Sequence, residues 1–187
     1  MKHIWKIATL APLNFFLYPF YALASWVGTL STWVLSPILS LWSVIAGIDV
    51  LPYPFSLFHT HDNTLDGGQK QGYRIGAKGI ELWWQRVRWL CRNPCYGFNA
   101  YVLGFKEEGA KEIWSESIGN RQFDKGGSVI YVVIMEAANG RRYWSYRRDY
   151  PVAGKYYFKQ WLGWHYASKD GLSRQLKSLP ISIKTAD

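Results

Sequence analysis

The residues with the widest chemical reach sit in one polar stretch, His59-Thr-His-Asp-Asn-Thr-Leu-Asp-Gly-Gly. His59, His61 and Asp62, with Asp66 nearby and His165 far along the chain, supply the imidazole and carboxylate groups that bind zinc or manganese. A metal-dependent enzyme using His59, His61 and Asp62 is therefore one functional class to carry forward. Its spacing is incomplete. H-x-H-D-N lacks the second Asp-His pair of the H-x-H-x-D-H hydrolases, and no H-E-x-x-H occurs. Asp62, Thr64, Asp66 and Gly67 match positions 1, 3, 5 and 6 of a calcium loop, but Tyr73 stands where the bidentate Glu belongs. These residues favour a structural role, in which Asp62, Asn63 and Asp66 bond nearby backbone N–H groups and Gly67 completes the turn. No cofactor is expected.

Further along, Arg92-Asn93-Pro94 reads as a helix stop, with Arg92 placed to pair with Asp62 or Asp66. Arg86, Arg88, Arg141, Arg142, Arg147 and Arg148 belong to a basic population that gives the chain a net charge of +9. Such a surface favours anionic partners, with lipid headgroups ahead of nucleic acid beside a membrane segment. Arg141-Arg142-Tyr143-Trp144 and Tyr146-Arg147-Arg148 interleave cations with aromatics, as single-strand binders do, without the signature of a known module. Cys91 and Cys95 are spaced C-x3-C, and two thiols cannot close a structural zinc site. They read as reduced core residues in a reducing compartment and as a bridge in an oxidising one. The chain has neither a P-loop nor a dinucleotide fingerprint, and its Ser and Cys residues fall in no recognised nucleophile motif.

The elements that must position these groups divide at about residue 48. Every acidic residue lies at Asp49 or later, and from Ile7 to Ile48 no side chain is charged. A straight helix of that run would be about 60 Å long, roughly twice the hydrocarbon core of a bilayer. The expectation is a transmembrane helical hairpin over residues 1–48, turning near Gly28, with helices near 5–27 and 32–48. Lysines before it and Lys/Arg after it place both ends on the inside. One span followed by an interfacial helix, and a signal cleaved after Ala22-Leu23-Ala24, are the other readings. Residues 49–78 form a connector and the Asp/Asn/Gly loop. Residues 79–187 form a basic, aromatic-rich domain.

Within that domain, Ile80, Trp83, Trp84, Val87 and Cys91 share one face of an amphipathic helix over 79–92. Strands are predicted at 99–105, 112–117, 128–138 and 141–148, with a further strand pattern from Tyr156 to Ala167. Asn139-Gly140 signals a two-residue hairpin loop that sets Met135 opposite Trp144 and Val133 opposite Tyr146. The fold class is α+β: a transmembrane helical hairpin, then a small antiparallel sheet domain with one main amphipathic helix.

Three motifs in order carry a resemblance: Asp62-Asn63-x-Leu65-Asp66-Gly67, then Trp89-Leu90-x-Arg92-Asn93-Pro94-x-Tyr96-Gly97-Phe98, then Leu162-Gly163-Trp164. Together with the apolar N-terminus, they resemble a family of uncharacterised membrane-associated proteins from tailed bacteriophages and prophages. The resemblance implies a phage origin and a shared fold, with no assigned reaction. In that family a proline often stands where this chain has His61, which argues against a catalytic role for that histidine.

These readings converge on a membrane-anchored, non-catalytic accessory protein. Its basic domain would face the cytoplasm at the host inner membrane and dock on anionic headgroups, on a protein partner or on a second copy of itself. The metal-dependent enzyme and a membrane-tethered nucleic-acid-binding protein are the alternatives.

Overall fold

The structure is a computed structural model that describes residues 2–60, 64–119, 128–166 and 173–185. Its class is α+β. Helices α1 (Lys2–Leu10), α2 (Pro12–Ile45) and α3 (Gly79–Arg92) precede strands β1 (Phe105–Lys106), β2 (Lys111–Gly119), β3 (Val129–Glu136), β4 (Arg142–Ala153), β5 (Tyr156–Trp164), β6 (Ser173–Arg174) and β7 (Leu176–Thr185). The chain forms two compact units, Met1–Ala22 with Gly104–Asp187, and Leu23–Leu103.

The expected helical hairpin is not present. α2 runs unbroken through Gly28 for 34 residues, about 51 Å at 1.5 Å per residue. Its start is set by Pro12, whose missing N–H costs nothing in the first turn. Pro37 would leave the carbonyl of Trp33 without its helical donor, and the Ser36 hydroxyl donates to it instead at 3.1 Å. The helix ends in a Schellman pattern, with Ile48 N–H bonding Ser43 O at 3.0 Å and Gly47 N–H bonding Val44 O at 3.3 Å. Gly28 serves a different purpose from the turn its type suggests. A Cβ there would lie 2.3 Å from Cys95 Sγ, so the glycine lets a second chain segment approach the helix closely. Gly28→Ala should lower stability by about 1–3 kcal/mol through overpacking. Adding Cys95→Ala should recover most of that loss in urea titrations.

In the first unit, β2-β3-β4-β5-β7 form a five-stranded antiparallel sheet, and β1 pairs with β6. The hairpin at Asn139-Gly140 exists, but its loop is one residue longer than the two-residue type. Ala137 N–H bonds Arg141 O at 3.0 Å around Ala138-Asn139-Gly140, with Gly140 at φ +76°. The register therefore slips by one. Met135 faces Tyr143, Ile134 faces Trp144 and Val132 faces Tyr146. The segment predicted as a strand at 99–105 is instead a π-helix over Phe98–Val102, followed by the short β1. β7, a ten-residue strand containing Pro180, was not apparent from the sequence pattern. It is an edge strand, where a missing N–H is tolerated.

One sheet face packs on the first turns of α2. Tyr18 lies 4.8 Å from Trp144, and Tyr21 lies 5.8 Å from the fully buried Trp164, ring centre to ring centre. Asn14 ties the β3–β4 loop to the helix: its amide donates to Arg142 O at 2.6 Å and accepts from Arg141 at 2.9 Å. In the second unit, Leu39, Leu51, Leu65 and Leu90 form the core, with Leu35 and Phe58 against them.

Candidate membrane interface

α2 presents two opposed rows of side chains. Leu13, Phe16, Phe20, Leu23, Val27, Leu30, Val34, Ile38, Leu41 and Ile45 are each more than half exposed. They recur every three or four residues, the period that keeps a row straight along one face of a helix. On the inward side, Asn14, Thr32, Ser36, Ser40 and Ser43 are 0% exposed, and Ser25 is also buried. This polarity is the reverse of a helix on a water-soluble protein, where the apolar stripe faces inward. Small and hydroxyl-bearing residues toward protein with large apolar residues outward is the pattern of helices solvated by lipid. Trp26, Trp33 and Trp42 flank the outward row, while Tyr53 and Trp84 are also exposed. By length and composition α2 is sufficient to cross a membrane.

The arginines expected to bind anionic surfaces separate into different environments. Arg86 is 4% exposed and holds Asp66 through two bonds of 2.8 and 2.9 Å. It also donates to Ser43 Oγ at 2.9 Å and to Ile48 O at 2.6 Å, at the carbonyl-rich end of α2 where a cation is favoured. Asp66 thus pairs with Arg86 and not with Arg92, which is exposed, while the other partner expected for Arg92, Asp62, lies outside the described residues. Satisfying Arg86 rolls α3 from its predicted face. Arg86, Val87, Trp89 and Leu90 are buried, whereas Ile80 and Trp84 are exposed. Arg147 is likewise buried, bonded to the fully buried Asp149 at 2.5 and 2.9 Å. A buried cation closed by a carboxylate has nothing to offer a headgroup, so Arg86 and Arg147 leave the surface set.

Arg141 turns inward to Asn14 and donates to the Tyr21 hydroxyl at 2.7 Å. Arg142 is exposed but pairs with Glu136 at 3.0 Å. Hydrogen bonds from Lys111 first, then Arg142, hold the Glu136 carboxyl below the usual carboxylate range. Arg88 and Arg148 are exposed, over Tyr73 at 4.6 Å and over Tyr150 at 4.8 Å, with no carboxylate partner among the described residues. They are what remains of the predicted anion-binding set.

Of the polar loop, Asp66 and Gly67 are described, while His61, Asp62 and Asn63 lie outside the described residues. Asp66 N–H donates locally to Thr64 Oγ1 at 3.2 Å, and Gly67 N–H donates to Thr64 O at 3.0 Å. His59 is buried, with Nδ1 2.6 Å from Thr60 O. Among the described residues no three His, Cys, Asp or Glu side chains converge as a metal site. At the end of α3, Asn93 N–H bonds Trp89 O at 3.1 Å, and the helix ends before Pro94. Cys91 and Cys95 are free thiols that pack on α2, Cys91 Sγ lying 3.3 Å from Ser36 Oγ.

Burial pushes the Cys95 thiol up from its ordinary 9.0 to about 11, against a smaller opposing effect of a hydrogen bond with Thr32. The folded state therefore favours the protonated thiol. The associated stability is complete below pH 9 and is lost as pH rises toward 11. Iodoacetamide labelling of a Cys91→Ala chain should be slow at pH 8 and accelerate into that window. Labelling at pH 8 as fast as in the unfolded chain would contradict the buried placement.

The sequence signal for the inward row was present in Ser25, Gly28, Thr32, Ser36, Ser40 and Ser43, spaced three or four apart, with Asn14 eleven residues before Ser25 on the same face. Taken one at a time these residues look like helix breaks. Taken as a row they mark the packed side of one helix. Comparison with known protein families matches residues 9–186 to DUF7338, a family of unknown function. Neither a curated protein nor a solved structure matches the chain.

Proposed function

Because the chain belongs to the DUF7338 family of unknown function, its role must be argued from its own surfaces, and we propose a membrane-anchored, non-catalytic accessory protein held by α2. The observation that carries this reading is the reversed polarity of α2: an outward apolar row from Leu13 to Ile45 over an inward row of Asn, Ser and Thr. Exposed to water, such a row would be an aggregation surface. Exposed to lipid, it needs no further cover.

The helix lies in the plane of the membrane. Its outward row runs about 48 Å, well beyond the roughly 30 Å hydrocarbon core, and its character is constant along that length. In an upright span, α3 would follow its α2 contacts into the core: Trp83 Nε1 bonds Pro37 O at 2.9 Å and Trp33 Nε1 bonds Cys91 O at 3.2 Å. The exposed Arg74, Glu81 and Arg88 of that region would then face lipid, at about 2.5–3.5 kcal/mol for each charge near the centre. An in-plane helix leaves them in water. It also keeps both chain ends on one side, as the lysines and arginines at either end of the apolar run favour. That side is the cytoplasmic face of a bacterial inner membrane, and the three-motif resemblance to tailed-phage proteins supports a phage-encoded chain acting on its host.

Reporter fusions before Met1 and after Asp187, combined with alkaline extraction of the membrane fraction, test the reading. Alkali-resistant protein with both reporters cytoplasmic is expected. Reporters on opposite sides would establish a span, and protein in the soluble fraction would remove the membrane reading altogether.

A further inference from the structure

The first unit contains an apolar cavity of about 500 Å³ between the N-terminal helices and the sheet. Ile7, Phe15 and Pro19 form its helical wall, and Trp144, Tyr146 and Leu162 form its floor. The volume falls within the range of small-molecule sites. Two observations say what fits it. Phe16 lines the cavity and is also more than half exposed in the outward row of α2, so the cavity opens onto the surface assigned to lipid. Its other side brings a cation. Gln160 lines the cavity, and its register partner on β4 is Arg148, exposed and without a carboxylate among the described residues. Tyr146, Arg148 and Tyr150 follow one another along one face of β4, which puts Arg148 two residues beyond the apolar floor, its guanidinium 4.8 Å over the Tyr150 ring.

We infer that this cavity takes one acyl chain of an anionic bilayer phospholipid, with the phosphate held by Arg148. The inference rests on the membrane reading of α2, since the chain enters from the side on which Phe16 faces lipid. The binding chemistry is separate: burial of hydrocarbon on Ile7, Trp144 and Leu162, and a charge-assisted bond from guanidinium to phosphate.

Full-length protein, reconstituted with dioleoyl phosphatidylglycerol and released into mild detergent, is examined by native mass spectrometry. One phosphatidylglycerol per chain is expected, with dioleoylglycerol, which has the same acyl chains but no phosphate, retained at least tenfold less. Arg148→Gln, a surface change that leaves the fold intact, should reduce phosphatidylglycerol retention by about tenfold and bring it level with dioleoylglycerol. Leu162→Trp, which fills the cavity, should abolish retention of both. Circular dichroism checks that this variant folds; if it does not, the Arg148→Gln comparison decides alone. Equal retention of the two lipids by the unaltered chain, retention indifferent to Arg148→Gln, or a second copy of the chain in place of lipid overturns the inference. Vesicle pelleting separates it from the membrane reading. Protein that pellets with vesicles but retains no lipid refutes the cavity assignment alone, whereas protein that does not pellet refutes the anchor.

Discussion

Asp66→Ala should lower the stability of the second unit by about 3 kcal/mol, a loss of about 150-fold in its folding equilibrium. The change removes the only carboxylate that contacts Arg86 among the described residues and leaves a guanidinium with 5% of its side chain exposed. Ser43 Oγ and Ile48 O continue to accept from it, but neither neutralises its charge. The expected cost sits at the low end of the range for breaking buried pairs, because a quarter of the Asp66 side chain still reaches solvent. Urea unfolding followed by tryptophan fluorescence, in the detergent used for purification, gives the value. Arg86→Met combined with Asp66→Leu is the informative companion, since removing both charges together should recover part of the loss. A single Asp66→Ala effect below about 0.5 kcal/mol would mean that the pair is solvated and that Arg86 does not join α3 to the end of α2.

The larger effect is expected on membrane attachment. Leu30→Lys with Val34→Lys places two ammonium groups in the outward row, one helical turn apart. A lysine at the centre of a bilayer costs about 2.5–3.5 kcal/mol; an in-plane helix sits at shallower depth, so about 2 kcal/mol each is appropriate. The vesicle partition coefficient should fall by about three orders of magnitude, while the fold is preserved because both positions point away from protein. The opposite row behaves oppositely. Ser36→Leu should destabilise the fold by about 1–3 kcal/mol through overpacking against Cys91 and leave the outward row's affinity for lipid unchanged. In a water-soluble protein the lysine pair would alter neither pelleting nor stability, so unchanged pelleting of that variant would refute the lipid-facing assignment.

The two predictions locate the strongest constraints on this chain in α2 and in what its polar row touches. For Arg86 and Arg147 the structure replaces a surface role with an internal one. Each is buried in an ion pair, Arg86 with Asp66 and Arg147 with Asp149, and the exposed members of the predicted anion-binding set without a carboxylate among the described residues are Arg88 and Arg148. Net charge is a property of the whole chain, whereas availability to a headgroup depends on whether a carboxylate has already claimed the cation.

What the sequence determined by itself was mostly local. An uncharged run from Ile7 to Ile48 requires apolar helix without deciding between one helix and two, alternation around Asn139-Gly140 requires a hairpin, and Asn93-Pro94 stops α3 because proline restricts the residue before it. Each of these depends on neighbours within a few positions. The tertiary structure decided everything that depended on distant partners. Gly28 became a contact point for Cys95 instead of a turn, because a glycine in a helix declares its purpose only through what approaches it. The choice of Arg86 over Arg92 for Asp66 followed from which arginine could also reach Ser43 and Ile48, a question of how α3 is rolled on α2. One added loop residue changed every partner across β3 and β4, since hairpin register is set by loop geometry that turn residues alone do not specify. The helix at Phe98–Val102 overrode a strand-like pattern, as short apolar runs fit either element until packing selects one. The lipid-facing reading proposed for α2 draws on both levels. Composition supplied the apolar residues, and only the packed structure showed that the polar ones turn inward.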